Sequence, residues 1–320
     1  MSGVDVGMAM GALGGQISCS AGRETIMYRS SHLHEATPLA LSLISDAVQN
    51  SSFLPEELDA QRAAAKCEIQ GVRASPETLL PEILHYHAYN GKGLGNPLYC
   101  HEDRMDRIDT SHIRDFMAQW YRPERMVIAG AGMTHEELVE LAEKHFSSLK
   151  STPIADVCPV IGSTYTGCYK FIHDPELEFD HIYLAFEGVG IHDDDNYELD
   201  IMETLLGGGG SLQSRLNAYI LNDQGIDHKA INHCGSFHHA YNDSSLFGLF
   251  ASFAPSARTA ILPFLVHQFA LLLYRAVPED ELSRAKNRLK SNIARKLESR
   301  AFRVRHLGLV SMRSSNNSDV

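Results

Sequence analysis

The feature that most constrains this chain is an internal repeat of element order. A pair of short strands, a helix, and a helix opened by Pro55-Glu56-Glu57 reappear as a strand pair, a helix, and a helix opened by Pro278-Glu279-Asp280. The two prolines stand 223 residues apart, a plausible period for one duplicated domain. Proline at a first helical position followed by acids is a common helix start, so convergent capping is the competing reading. If the repeat is real, the fold is two copies of one α+β unit. Elements before and after the shared core differ between the copies. About 60 residues of strand, helix, glycine run and helix precede the second strand pair, but only about 15 precede the first. Both copies therefore read as incomplete, and the chain as truncated at both ends.

The coarse reading along the chain follows from turns, caps and periodicity. Ser18–Leu33 reads as two strands around Gly22-Arg23-Glu24. Helices are expected from Thr37, from Pro55 to about Arg73, over Glu77–Tyr89, over Ser111–Trp120, and from the capping sequence Thr134-His135-Glu136-Glu137 to Leu149. Met126–Ala131 and Tyr169–Ile172 have strand-like composition, and His181–Phe186 alternates with period two. Ser147–Thr166 is rich in Ser, Thr, Pro and Gly, which places a linker at 151–163 between a domain at 1–150 and another at 164–320. In the second half, Asn196–Leu206 and Leu212–Leu221 read as helices. Lys229–His238 and Ser244–Phe253 read as an antiparallel pair. Ala257–Arg275 reads as a long apolar helix holding Pro263, followed by a helix from Pro278.

Between the helices at 196–206 and 212–221 stand four consecutive glycines, Gly207, Gly208, Gly209 and Gly210, then Ser211. Ordering such a run is entropically costly, so it is a linker or a place where another backbone comes close. No Lys-Ser or Lys-Thr follows at phosphate-loop spacing, and the run leaves a helix rather than a strand. Both nucleotide-binding readings are excluded.

Charge and composition narrow the partners. Twenty-eight basic against 40 acidic side chains give a net charge of −12, which disfavours nucleic acid and favours basic partners. No continuous run of 18 apolar residues exists, so no membrane span is expected. The six cysteines form no Cys-x-x-Cys pair and read as free thiols in a reducing compartment. Seventeen histidines include His32-x-His34 on an expected strand, His85-x-His87 on an expected helix, and His238-His239 with Asp243 near a strand end. None has a known zinc spacing, and each reads as surface or hydrogen-bonded histidine. His-Glu-x-x-His, His-x-x-Glu-His and Gly-x-Ser-x-Gly are absent, so no catalytic residue is assigned. Asp193-Asp194-Asp195 and Glu198 read first as a solvated helix start and second as an acidic lure for a basic ligand. Glu68, mid-helix between Cys67 and Ile69, reads as a solvated carboxylate.

Several motifs together resemble the alpha-type subunits of mitochondrial processing peptidases, within the pitrilysin-like metallopeptidases. They are Leu13-Gly14-Gly15, Gly22-Arg23-Glu24, Leu94-Gly95-Asn96-Pro97, Tyr121–Met126, Phe186–Gly190, Leu205–Ser211, Ser214-Arg215-Leu216, Tyr241–Ser244 and Leu246-Phe247-Gly248. The resemblance runs from about Leu13 to Arg300. It implies duplicated α+β domains, each a mostly antiparallel sheet with helices packed on it. It implies a non-catalytic subunit that recognises basic presequences in the mitochondrial matrix, with Gly207–Gly210 and Ser211 as substrate-binding residues. It also implies a heterodimer with a beta subunit that carries the zinc, and no cofactor in this chain. Glu68 matches the distal zinc-ligand position of the active subunit but lacks the histidine partners. The loop between Ser211 and Ser214 is shorter than the family pattern. Two other readings share the fold: a core structural subunit of the respiratory cytochrome bc complex, and a truncated catalytic zinc metalloendopeptidase.

Overall fold

The structure, a computed structural model, describes residues 7–9, 11, 14–150, 162–207, 214–222 and 227–315. Residues 151–161, which hold most of the expected linker, lie outside them. In chain order the main elements of the first half are β1 (Gln16–Ala21), β2 (Ile26–Ser31), α1 (Thr37–Gln49), α2 (Pro55–Ala74), α3 (Pro76–Ala88), α4 (Glu102–Met105), α5 (Thr110–Trp120) and α6 (His135–Phe146). The second half holds β3 (Asp180–Gly188), α7 (Asn196–Leu206), α8 (Arg215–Asn222), β4 (Ile231–Ala240), β5 (Ser245–Phe253), α9 (Arg258–Tyr274), α10 (Glu279–Glu298) and α11 (Arg300–Ser315). The fold is α+β with antiparallel sheets, as the repeat implied. The chain forms two compact units, one of residues 1–71, 98–160 and 296–320, the other of 72–97 and 161–295.

In the first unit β1 and β2 form an antiparallel hairpin, from Gln16↔Ser31 to Ala21↔Ile26. Gly22 N–H donates to Thr25 O at 2.8 Å and closes the turn. Helix α1 carries Pro38 in its first turn and buries Ala40, Leu43 and Val48. It packs on α6, where the Ser45 hydroxyl and the Gln49 amide both donate to His145 O at 2.8 Å. That carbonyl lies in the last turn of α6, where no intrahelical partner exists, so α1 supplies the missing donors. Thr134 caps α6, accepting from Glu137 N–H at 3.2 Å. Asp109 caps α5 through Ser111 N–H and His112 N–H at 2.9 and 3.1 Å. Helix α2 is mostly exposed and buries Ile69 alone.

The second unit is built on a three-stranded antiparallel sheet of order β3-β5-β4. The central strand, Ser-Leu-Phe-Gly-Leu-Phe-Ala-Ser-Phe, is covered on both faces, which explains why it is apolar but for two small buried serines. Phe247, Leu249, Ala251 and Phe253 point to one face. There they meet Leu206, Leu216, Ile261, Phe264 and Leu265 from α7, α8 and α9. Leu246 points to the other, where Ala88 and Tyr89 at the end of α3, Leu94 and Phe237 cover it. Each such large apolar side chain contributes about 1.5–3 kcal/mol on burial. At Gly248 the strands approach so closely that a Cβ would lie 2.2 Å from Leu184 O and 2.8 Å from Phe237 Cζ.

Two strand expectations need correction. Met126–Ala131 and Tyr169–Ile172 are not strands. Both have strand-like side chains but no ladder partner among the described residues, and a strand exists only through its neighbour. Tyr169 and Phe171 stay 89% and 71% exposed. Pro255–Tyr274 is long and apolar enough to cross a membrane by length and composition, as the core helix of a sheet also is. Here one of its faces supplies Ile261, Phe264, Leu265 and Leu271 to the sheet.

Candidate functional site

The candidate site is the mouth of the glycine run. Gly208, Gly209, Gly210 and Ser211 lie outside the described residues, but both ends of the run are described. Gly207 closes α7, its N–H donating to Glu203 O at 3.0 Å. A Cβ on Gly207 would meet Leu216 Cδ1 at 3.3 Å and Ser214 Oγ at 3.4 Å, so the run leaves and re-enters at one place. A Cβ on Gly235 of β4 would sit 3.7 Å from Gly207 O, which puts the departure point over the sheet.

The re-entry is held by Ser214-Arg215-Leu216. The Ser214 hydroxyl accepts from Asn217 N–H at 3.3 Å and caps α8, leaving Ser214 3% exposed. Leu216 is fully buried in the sheet cluster. The Arg215 guanidinium donates twice to the Glu281 carboxylate in the first turn of α10, Nε to Oε1 at 2.9 Å and Nη2 to Oε2 at 2.7 Å. This fork-to-fork pair has side-chain exposures of 9% and 24%. The run is thus anchored at one end by a helix terminus and at the other by a cap, a buried leucine and a shielded ion pair.

The other glycine-bearing motifs are architectural. At Gly95 a Cβ would lie 2.9 Å from Tyr89 Cβ and 3.2 Å from His85 O, so Leu94-Gly95-Asn96-Pro97 turns where only glycine fits. Leu94 N–H donates to the Ser163 hydroxyl at 3.0 Å, and Ser163 N–H to the Asp243 carboxylate at 2.6 Å. Tyr89 hydrogen-bonds the Ser244 hydroxyl at 3.0 Å, and burial pushes its pKa up to about 12. Gly190 touches the Tyr241–Ser244 turn, where a Cβ would lie 2.6 Å from Asn242 O.

The acids ahead of the run are a helix start. Asp193, Asp194, Asp195 and Glu198 are exposed around the first turn of α7, and the Asp193 carboxylate accepts from Asp195 N–H at 3.0 Å. The eleven residues of α7 separate Asp193, Asp194 and Asp195 from the run, about 16 Å along the axis. At that range a surface charge is screened by roughly two Debye lengths in physiological salt.

The histidines fall apart as pairs. Strand β2 ends at Ser31, so His32 and His34 do not share a strand face. His32 hydrogen-bonds Ser30 and Thr37, while His34 faces Glu137 at 3.2 Å. His85 is 2% exposed, its Nδ1 donating to Pro81 O at 2.6 Å and its Nε2 hydrogen-bonded to the Tyr241 hydroxyl at 2.7 Å. His238 and His239 lie on opposite faces of β4. His238 meets Asp200 at 2.7 Å, and the His239 ring lies 5.3 Å from that of His85. Asp243 serves Ser163 instead.

Glu68 is exposed in the middle of α2. It belongs to no group of three or more potential metal ligands among the described residues. The residues described therefore do not fit a zinc ion there, and no chemistry is derived through one. The group that does assemble, Asp200, Glu203 and His238, was not legible from spacing, because its histidine comes from a strand 38 residues away.

Comparison with known proteins places this architecture. A model of the peptidase M16 inactive domain matches residues 107–289, and one of insulinase (peptidase family M16) matches residues 6–102. The chain belongs to the peptidase M16 family. Among its M16 relatives, the mitochondrial-processing peptidase subunit alpha of Neurospora crassa is 32% identical over 92% of this chain and 65% of its own length. The probable alpha subunit of Schizosaccharomyces pombe is 30% identical over 92% of this chain and 61% of its own. The human alpha subunit is 28% identical over 90% and 58%. The chain thus spans about three fifths of the length of these curated relatives. A crystal structure of a protease from Helicobacter pylori shares the fold with a TM-score of 0.83, covering 96% of this chain and 75% of that one at 17% identity.

Proposed function

We propose that this M16 chain is a non-catalytic, substrate-recognising subunit that binds the basic presequences of imported mitochondrial precursors in the matrix. A zinc-bearing beta-type partner carries out the hydrolysis. The observation that carries this reading is the similarity to processing-peptidase alpha subunits along nine tenths of the chain. The anchored mouth of the glycine run supports it. Residues Gly207–Gly210 and Ser211 present backbone donors and acceptors with little side-chain bulk, so an extended peptide pairs with them by main-chain hydrogen bonds. The carboxylates at the start of α7 contribute through length rather than range. About five residues of extended peptide cover the 16 Å that separates them from the run. A presequence seated on the glycines thus lays a basic side chain among Asp193, Asp194, Asp195 and Glu198, each exposed pair contributing at most about 1 kcal/mol.

The test uses the full chain alone and with a beta subunit from the same source. Fluorescence anisotropy of a labelled presequence peptide should rise on mixing with the pair, and affinity should fall steeply with salt. The chain alone, repurified with added zinc, should leave the peptide intact. Zinc-dependent cleavage that co-purifies with the single chain would overturn the assignment. Association with respiratory cytochromes in place of a beta subunit would favour the structural core-subunit reading.

A further inference from the structure

We propose that Asp200, Glu203 and His238 form a site for one divalent transition-metal ion of the zinc class, distinct from the family position at Glu68. The first two stand three residues apart on α7 and therefore share a face of that helix. His238 pairs with Phe247 across the ladder and so points to the face covered by α7, α8 and α9. One donor atom from each of the three residues lies within 4.8 Å of the others.

Three features favour a cation over a simple ion pair. First, two carboxylates converge in the last two turns of α7, the end at which a helix presents negative charge. Second, the His238 side chain is 1% exposed, so its contact with the carboxylates is made out of water. The polar contact that orients this buried ring is made by Nδ1 toward the carboxylates, at 2.7 Å from Asp200 Oδ1. Third, the donor set is one imidazole nitrogen and two carboxylate oxygens. That combination suits zinc and its neighbours, with a fourth position for water, and falls short of the six or more oxygens that calcium takes. Metal bonds of about 2.0–2.1 Å at tetrahedral angles set ligand atoms roughly 3.3 Å apart. The His238–Asp200 contact opens by a little over half an ångström to admit the ion, and the ring binds through Nδ1 as neutral imidazole with its one proton on Nε2, the proton between Nδ1 and Asp200 passing to solvent from the imidazolium form. The ion would tie the end of α7 to β4, at the base from which the glycine run departs. This goes beyond presequence recognition and does not depend on it.

The experiment takes the full chain, stripped with a chelator and dialysed, and titrates it with Zn2+ by calorimetry and with Co2+ by visible absorption. Uptake of one ion per chain is expected, with a d–d band for bound Co2+ and a thermal midpoint that rises with Zn2+. Asp200→Asn and Glu203→Gln, at partly exposed positions, should each weaken uptake at least tenfold and abolish the thermal gain, with an unchanged far-UV circular dichroism spectrum. Glu68→Gln should bind as the parent does. Absence of stoichiometric uptake, uptake indifferent to both α7 variants, or uptake lost in Glu68→Gln would each overturn the proposal.

Discussion

Replacing Glu281 by glutamine leaves the Arg215 guanidinium charged, 91% shielded, and without its carboxylate. Breaking a buried pair from one side costs about 3–5 kcal/mol, because the remaining charge stays desolvated. Glu281 is itself 24% exposed, so water relieves part of that penalty, and about 2 kcal/mol is the working figure. For a unit of this size that corresponds to a thermal midpoint lowered by roughly 4–8 °C. The paired replacement Arg215→Met with Glu281→Leu removes both charges together and should restore stability to within about 1 kcal/mol of the parent. Thermal unfolding of the three proteins, followed by circular dichroism at one ionic strength, decides the matter. If Glu281→Gln melts within a degree of the parent, or the double variant is the worse of the two, then Arg215–Glu281 is not what fixes the re-entry of the glycine run.

Four further outcomes follow from the same structure. Gly248→Ala forces a Cβ against Leu184 O at 2.2 Å, a backbone atom that cannot rotate away, and should cost at least about 3 kcal/mol in denaturant titration. His85→Phe leaves Pro81 O and the Tyr241 hydroxyl without this buried partner and should cost about 2–4 kcal/mol, measured the same way. Burial pushes the Cys234 thiol up to about 12, so at pH 8 iodoacetamide should label exposed Cys67 and leave Cys234 unlabelled, as read by peptide mass spectrometry. The Asp109 carboxyl is held well below its usual range, first by the Ser111 hydroxyl and then by the His112 backbone N–H. A depressed folded pKa means that the unfolded chain binds the extra proton. Its stabilisation is complete above the unfolded value of about 3.9 and fades as pH falls below that toward the folded value. The difference in melting temperature between the parent and Asp109→Asn should therefore be larger at pH 5 than at pH 2.5.

Much of the fold could be read from local chemistry. Prolines and acids marked the starts of α1, α2 and α10, and the glycine after Leu206 marked the end of α7. The repeated element order pointed to α+β domains, and Ser244–Phe253 read as one strand of the antiparallel pair that β4 and β5 form. What stayed hidden depends on partners distant in sequence. Met126–Ala131 has strand-like residues but no neighbour to pair with among the described residues. His238-His239 looked like one cluster, yet strand alternation sends one ring to Asp200 and the other toward His85, 154 residues back. Likewise Ser214-Arg215-Leu216 could be recognised as a motif, while its function as an anchor required Glu281 from another helix.

The central claim is that the anchored glycine run is where a basic leader peptide is held. Deleting Gly208–Gly210 while keeping Gly207, Ser214 and the Arg215–Glu281 pair isolates it. In the assembled pair with a beta subunit, presequence affinity measured by anisotropy should fall at least tenfold, while the thermal midpoint and subunit association stay unchanged. Full affinity in the deletion variant would contradict the account.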